Sequence, residues 1–538
     1  MTGVQTCALP IFYGKNLSRQ WNLVDTFNLS VGHHNIKLGA DYRHIKSPLS
    51  PASVLLAAEF LDTDTILNGT PDVSEIFNYK SATPLFNETA LFVQDEWRVH
   101  PRLDLSLGLR WEVDPPPTEQ HGDDAYTLLG SVNNPTSLTL APQGTPLWET
   151  AWYNFAPRLG IAWTAYNHPG RETVVRAGGG AFYDTANEIA ALGYSRFGFS
   201  AYQLYSGVPI PYTASELNVP IKNAAPYTSG TIIAYPSHLQ LPYTLEWNAS
   251  IQQALGKNQA LTISYVGSNG RRLLGVQQLS LTSLNPNFGT VEYLANGITS
   301  NYQSLQIQFQ RSIAHGLQAL ASYTWSHSID FGSEATELPL QRGNSDFDVR
   351  NNFQAGASWD LPTTRSREFV SDLINNWGLD ARLNVRTAFP ITLGGNLTTD
   401  PTTGSQYDGG LNLVNGQPIS LYGPQYPGGK AINPGAFSLP PTASAGDAPR
   451  NFVRGFGATQ VNMAVRREFP IHETVGLQFR AETFNILNHP NFGYVDPQYT
   501  DATFGQATQM LNSSLGTVAS QYQQGGPRSM QFALKLHF

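Results

Sequence analysis

Over residues 89–113, TALFVQDEWRVHPRLDLSLGLRWEV, apolar and polar side chains alternate along two runs separated by His100-Pro101-Arg102. Leu91, Val93, Trp97 and Val99 share one face of the first run; Leu103, Leu105, Leu107, Leu109, Trp111 and Val113 share the matching face of the second. Gln94, Glu96 and Arg98, then Asp104, Ser106, Arg110 and Glu112, occupy the other face. A period of two places successive side chains on opposite faces of a strand, so the stretch predicts an antiparallel hairpin with one greasy and one charged face. Pro101 belongs in the turn because it cannot donate to a central ladder. The same alternation predicts hairpins near 20–46, 154–183, 243–269, 301–328, 349–389 and 458–486, and a last strand over 528–538, RSMQFALKLHF. That makes about fifteen strands.

Strand length separates the architectures that alternate. Sandwich strands average about five or six residues and turn their outer face to water. Here the runs are about nine to eleven residues, the length that crosses a membrane as a tilted strand. Trp97, Trp111, Trp163, Trp247, Tyr323 and Trp325 stand toward the ends of the apolar face, where an aromatic ring suits the membrane boundary. Short turns at one end and long Gly/Pro-rich loops at the other complete the pattern. The expected fold is all-β: a transmembrane antiparallel β-barrel with short periplasmic turns and long extracellular loops, its apolar face covered by outer-membrane lipid.

Composition agrees. Charged residues are 13% of the chain, against about 25% in soluble domains, while 48 Gly, 36 Pro and 24 Tyr favour strands and turns. No apolar run approaches the length of a spanning helix. The net charge of -8 is spread along the chain without a basic cluster, which argues against a nucleic-acid partner. Cys7 is the single cysteine, so neither a disulfide framework nor a Cys-based zinc site can form within the chain. No cofactor is expected. Residues 1–12, MTGVQTCALPIF, lack both the alternation and the basic start of a secretory signal. They are expected to be non-native, resembling translated sequencing-adapter read-through, with a partial barrel over 13–538.

Eight stretches carry a family resemblance: LFVQDEWRVHPRLDLSLGLRWE (91–112), NFAPRLGIAW (154–163), TVVRAGGGAFYD (173–184), YTLEWNASIQQAL (243–255), ISYVGSNGRRL (263–273), SNYQSLQIQFQRSIAHGLQALASYTWSHSID (300–330), NSDFDVRNNF (344–353) and LQFRAETFNILNHPNFG (477–493). In this order they resemble the barrel of TonB-dependent outer-membrane receptors, specifically the Oar-like branch. The resemblance implies a non-enzymatic, ligand-gated channel: a barrel of about 22 strands holds an N-terminal plug, and a TonB energy-coupling complex pulls on the plug to admit a siderophore, an oligosaccharide or a similar ligand. No plug, TonB box or signal peptide is recognisable before Arg19, so the N-terminal part is expected to be missing. Phe532, Leu534, Leu536 and Phe538 resemble the signal read by the barrel assembly machinery.

Several residues are candidates for function. Arg110 with Glu112, Arg466 with Glu468, and Arg480 with Glu482 stand two apart on the polar face; each pair can neutralise itself or meet a plug, although barrel lumens are polar in any case. Ligand contacts are expected from the loops near 184–242 and 390–457. Tyr194, Phe197, Phe199, Tyr202 and Tyr205 form a cluster in the first of these, suited to stacking on sugars or aromatic ligands, or to packing the loop itself. His33 and His34 read as a solvated turn without an acidic partner. RAGGGAFY, 176–183, lacks the Lys and strand-to-helix context of a phosphate loop, so its glycines are expected to make room on the lumen face. Ser326-His327-Ser328 has no acid to orient the imidazole.

Two rival readings stand: a structural or adhesive outer-membrane barrel, and a secreted β-rich glycan-binding protein. Strand direction adds a geometric expectation. The first strand enters a short turn and the last leaves a long loop, so both run toward the periplasm and cannot pair antiparallel. The sheet should be open, distorted or joined by a parallel seam, with roughly seven further strands belonging between its edges if the size of about 22 applies.

Overall fold

A computed structural model describes residues 17–50, 53–228, 230–333, 341–363, 375–399, 406–441, 446–472, 475–511 and 525–538. Residues 1–12 lie outside this set. One sheet of 18 strands dominates, three of them segments of two or three residues from the loops. The fifteen long strands are β1 (Arg19–Val31), β2 (His34–Lys46), β3 (Pro84–His100), β4 (Leu103–Val113), β5 (Asn154–Tyr166), β6 (Thr173–Tyr183), β7 (Tyr243–Ala254), β8 (Gln259–Ser280), β9 (Thr290–Ala314), β10 (Leu317–Asp330), β11 (Asn351–Asp360), β12 (Trp377–Arg386), β13 (Ala458–His472), β14 (Val475–Phe484) and β15 (Ser529–His537). Each pairs antiparallel with its neighbour in sequence, as the alternation predicts. The parallel ladder in this sheet joins the loop segment Ile232–Ala234 to the outer part of β9.

Short turns are chemically fitted to their work. His315 and Gly316 both take positive φ, +53° and +76°, between the paired residues Ala314 and Leu317. This is the two-residue geometry whose twist matches the flanking strands, and it needs a residue tolerant of left-handed backbone. At the other end, connections of tens of residues join β2 to β3, β4 to β5, β6 to β7 and β12 to β13.

The wall is inside out relative to a soluble fold. Leu91, Val93, Leu107, Leu109, Leu159, Trp163, Ile263, Trp325, Val465, Phe532 and Leu534 are exposed on it, as a lipid-facing surface requires. The packed cores lie in the outer loops. One gathers Phe86, Trp148, Tyr194, Phe199, Tyr235 and Leu294; a second gathers Phe197, Ile232, Leu281, Phe288 and Val291; a third, Leu411, Ile432, Phe437, Val453 and Phe504.

One expectation changes. β8 and β9 have 22 and 25 residues, about twice the crossing length, because their outer halves continue into the loop cores through Val276, Leu279, Val291 and Leu294. The break between the halves is an irregularity at Gly270–Leu273, where Arg272 has φ +54°. The sheet is open, as the strand directions predict: among the described residues β1 is laddered only to β2, and β15 only to β14. The expected clash of strand directions is met by this opening, without a parallel seam.

Candidate functional site

Two charge networks line the inner face. Toward the loops, Asp41 accepts from Arg43 at 3.1 Å and lies 3.5 Å from Arg110, which also bonds Glu112. Arg43 approaches Glu88 at 3.6 Å, and Glu88 accepts a 2.7 Å hydrogen bond from Asn187 on the short helix Asn187–Leu192, tying a loop to the wall. These groups surround a polar cavity of about 220 Å³ that Asp114 also lines. Asp114 is the first loop residue after β4, and its carboxyl is pushed up to about 7, first by burial and then by the nearby Glu88 and Glu112.

Nearer the short turns, Arg466 and Arg480 sit directly opposite each other on β13 and β14. Like charges in that register repel. Asp380 on β12 offsets this by accepting from both, at 3.4 Å and 2.6 Å; Arg466 also pairs with Asp360, and Arg480 with Glu482 at 2.5 Å.

A third cluster fastens the outer loops to one another. The buried Arg450 donates to Asp330 at 2.7 Å and to Asp346 at 2.8 Å, while Arg454 pairs with Asp348. Around them, Ser326 Oγ donates to the Val349 carbonyl at 2.7 Å, Ser328 Oγ lies 2.8 Å from Ser345 Oγ, and His327 Nε2 lies 2.9 Å from Asn344. The SHSID and NSDFDVRNN stretches thus form one clamp between the loop after β10 and the loop after β12. This use of the Ser-His-Ser segment is structural.

Beyond the outer ends of β4 and β5 the loops enclose a larger cavity of about 1020 Å³. Trp148, Trp152, Tyr194, Tyr235 and Tyr293 supply its aromatic lining. Trp148 and Tyr235 pack at 5.3 Å, and the two tyrosine hydroxyls are anchored: Tyr194 donates to the Pro117 carbonyl at 3.3 Å and Tyr235 to that of Ile189 at 3.2 Å. Among the described lining residues Asp124 and Glu149 are acidic, and none is Lys or Arg. Asp124 accepts from the Glu119 amide at 2.6 Å, and Glu149 meets His238 at 3.2 Å, so both carboxylates are partly engaged. Buried Thr127 also borders the cavity, with no hydrogen-bond partner for its Oγ1 among the described residues. No group of three or more His, Cys, Asp or Glu is arranged among those residues to hold a metal ion.

The profile of the family described as outer membrane beta barrel domain matches residues 8–531. The chain belongs to this family. The barrel domain therefore sits in the bacterial outer membrane, and the reading as a secreted glycan-binding protein falls. No curated protein sequence matches it. Its fold is similar to that of the outer membrane transporter YddB from Escherichia coli, with a TM-score of 0.53 at 11% identity over 97% of this chain and 54% of that one. Weaker likenesses include the FrpB iron transporter from Neisseria meningitidis (TM-score 0.46, 12% identity, 96% of this chain, 54% of that one) and the siderophore receptor PiuA from Acinetobacter baumannii (0.45, 9%, 96% and 55%). The chain spans about half the length of each of these structures.

The barrel domain places the sequence-derived candidates unequally. Arg110–Glu112 and Arg480–Glu482 pair as expected. Arg466 and Glu468 do not pair with each other: Arg466 turns to Asp360 and Asp380, while Glu468 meets Gln478 and lies 4.0 Å from His537. Arg466 stands opposite Gly378, whose missing side chain lets the guanidinium lie across β12 and reach both Asp carboxylates. Phe197 and Phe199 are sealed inside the loop cores and pack there, leaving no ring face for a ligand. Tyr194 is buried as well, but its ring borders the cavity. Tyr202 is exposed and Tyr205 half-buried on a small loop sheet. Phe532, Leu534, Leu536 and Phe538 all present exposed side chains.

His34 corrects the sequence reading. It heads β2, stacks on Trp97 at 5.1 Å and finds an acidic partner in Asp95 at 2.7 Å. The β6 glycines are consumed by neighbouring side chains: a Cβ on Gly180 would lie 2.9 Å from Cγ of Arg158, whose guanidinium lies 4.5 Å from the Phe182 ring. Sequence reasoning missed the large cavity because its lining comes from three separated elements, the loops after β4 and β6 and the outer half of β9. The available signals were Pro115-Pro116-Pro117 and the cluster Trp148, Trp152 and Tyr153.

Proposed function

We propose that this chain is the barrel part of a ligand-gated uptake receptor, energised through a TonB-type coupling complex and non-enzymatic. The observation that carries the reading is the pairing of a roof with a wall: packed outer loops enclose a cavity of receptor-site size, and below it the inner face bears organised ionic networks. In this reading Arg110, Glu112, Arg466, Glu468, Arg480 and Glu482 face a plug. Asp41 and Asp380, each already shared between two arginines, are the groups a plug would compete for. Ligand capture belongs to the loops, release of the plug to the coupling complex, and insertion of the barrel to the assembly machinery acting on the last strand.

The test compares two deletions in the source bacterium: the gene for this chain and the gene for the coupling protein. Growth is scored on single limiting sources, namely chelated iron, oligosaccharides and peptides. A source on which both strains fail supports energised uptake. Full growth of the receptor deletion on every source that defeats the coupling mutant overturns it, and loss of surface adhesion instead points to the structural role.

A further inference from the structure

We propose that the 1020 Å³ outer cavity binds an uncharged carbohydrate, a short oligosaccharide gripped between aromatic rings and hydroxyl or carboxylate acceptors. The inference deepens the uptake reading by giving its site a ligand class.

The lining decides among ligand chemistries by the charges it lacks and the carboxylates it presents. Its charged groups are Asp124 and Glu149, with no Lys or Arg among the described lining residues. An anionic ligand, such as a chelate rich in carboxylates, would meet like charge without a compensating cation among these residues, an arrangement that works against binding. A strongly cationic ligand is also poorly served, because Asp124 already accepts from the Glu119 amide and Glu149 already faces His238. A purely apolar ligand would strip water from the Asp124 and Glu149 carboxylates that line the cavity and offer them no hydrogen bond in return. A sugar ring satisfies all three conditions: its C–H face packs on an aromatic ring, and its hydroxyl edge both donates to carboxylates and accepts from hydroxyls.

The site has a rigid and an adaptable part. Tyr194 and Tyr235 are fixed by hydrogen bonds to backbone carbonyls, so this side is preorganised and little entropy is lost on binding. Trp152 is exposed in the empty site, a free ring face at its rim. The volume matches the upper end of small-molecule sites, which suits several linked rings better than one.

The experiment uses the full 538-residue chain refolded in detergent, with heat-modifiable migration as the folding check for every variant. Calorimetry is run with maltohexaose, cellohexaose and xylohexaose as neutral probes, hexagalacturonate and ferric citrate as anionic probes, and hexalysine as the cationic probe. The expected result is binding of at least one neutral hexasaccharide and of no charged probe. Trp152→Ala should weaken that binding tenfold or more, and Glu149→Gln or Asp124→Asn several-fold, while Tyr422→Ala on a distant loop leaves it unchanged. Binding of none of the neutral probes overturns the proposal, as does Trp152-dependent binding of a charged probe, or neutral binding indifferent to all three cavity substitutions. If Trp152→Ala fails the folding check, Glu149→Gln at an exposed side chain carries the test. Because binding is read on the isolated chain without an energy source, its failure is distinct from failure of the uptake reading, which the growth comparison tests separately.

Discussion

Asp114 shows how one side chain makes the barrel's mouth sensitive to acidity. It is buried where β4 enters its loop, beside Glu88 and Glu112, and its folded-state pKa of about 7 lies above the ordinary 3.8. Between those values the folded state holds more protons than the unfolded state, so stability falls as pH rises. Unfolding in detergent should therefore show a lower urea midpoint at pH 8 than at pH 5. Only the span from pH 5 to the folded value contributes over that range, so the difference is at most roughly 3 kcal/mol, at about 1.4 kcal/mol per unit. Asp114→Asn should flatten that dependence and leave the protein more stable at pH 8; an unchanged slope would show that the carboxyl is not the group responsible. Asp380 does different work, for its charge is what allows Arg466 and Arg480 to face each other.

At the scale of elements, the loop clamp is the clearest energetic unit. Arg450 is almost fully buried against Asp330, and removing one member of a buried pair leaves the other charge uncompensated, at a cost of about 3–5 kcal/mol. Arg450→Ala should loosen the connections after β10 and β12 while sparing the wall, seen as rapid proteolysis within 387–457 in a barrel that still migrates as folded. Arg450→Met combined with Asp330→Asn should recover part of the protection; none recovered would place the stabilisation elsewhere. The same contrast explains what the sequence discloses. Strands such as β3 and β4 are legible because lipid on one side and a polar lumen on the other impose a strict period of two. Register follows from two-residue turns such as His315-Gly316. The clamp and the large cavity are opaque, because Arg450 meets Asp330 across 120 positions, and no local pattern records such a meeting. Even on the wall, the partner of Arg466 was decided across strands and so escaped a reading made along one strand.

For the whole molecule, burial is inverted: the loop shell packs like a soluble domain, and the wall relies on lipid. Assembly must therefore deliver a largely exposed apolar sheet to the membrane, and Phe538, just beyond β15 and 89% exposed, is the residue proposed to be read in that step. Phe538→Asn removes little packing, so the folded barrel should keep its thermal midpoint within about 0.5 kcal/mol of stability while its outer-membrane level falls several-fold under weak expression. Equal levels of the two proteins, measured by quantitative blotting of membrane fractions, would remove the signal role. The long ribbon β8–β9 adds a mechanical property to this plan. Tyr293 in the cavity and Gln306 and Gln308 on the inner wall belong to one continuous strand, whose ladder to its neighbour β8 is irregular over Gly270–Leu274. With about 3.3 Å per residue, the ribbon is a stiff lever with one compliant joint, so a push on the roof at Tyr293 is delivered to the wall as displacement, and the joint sets how much arrives.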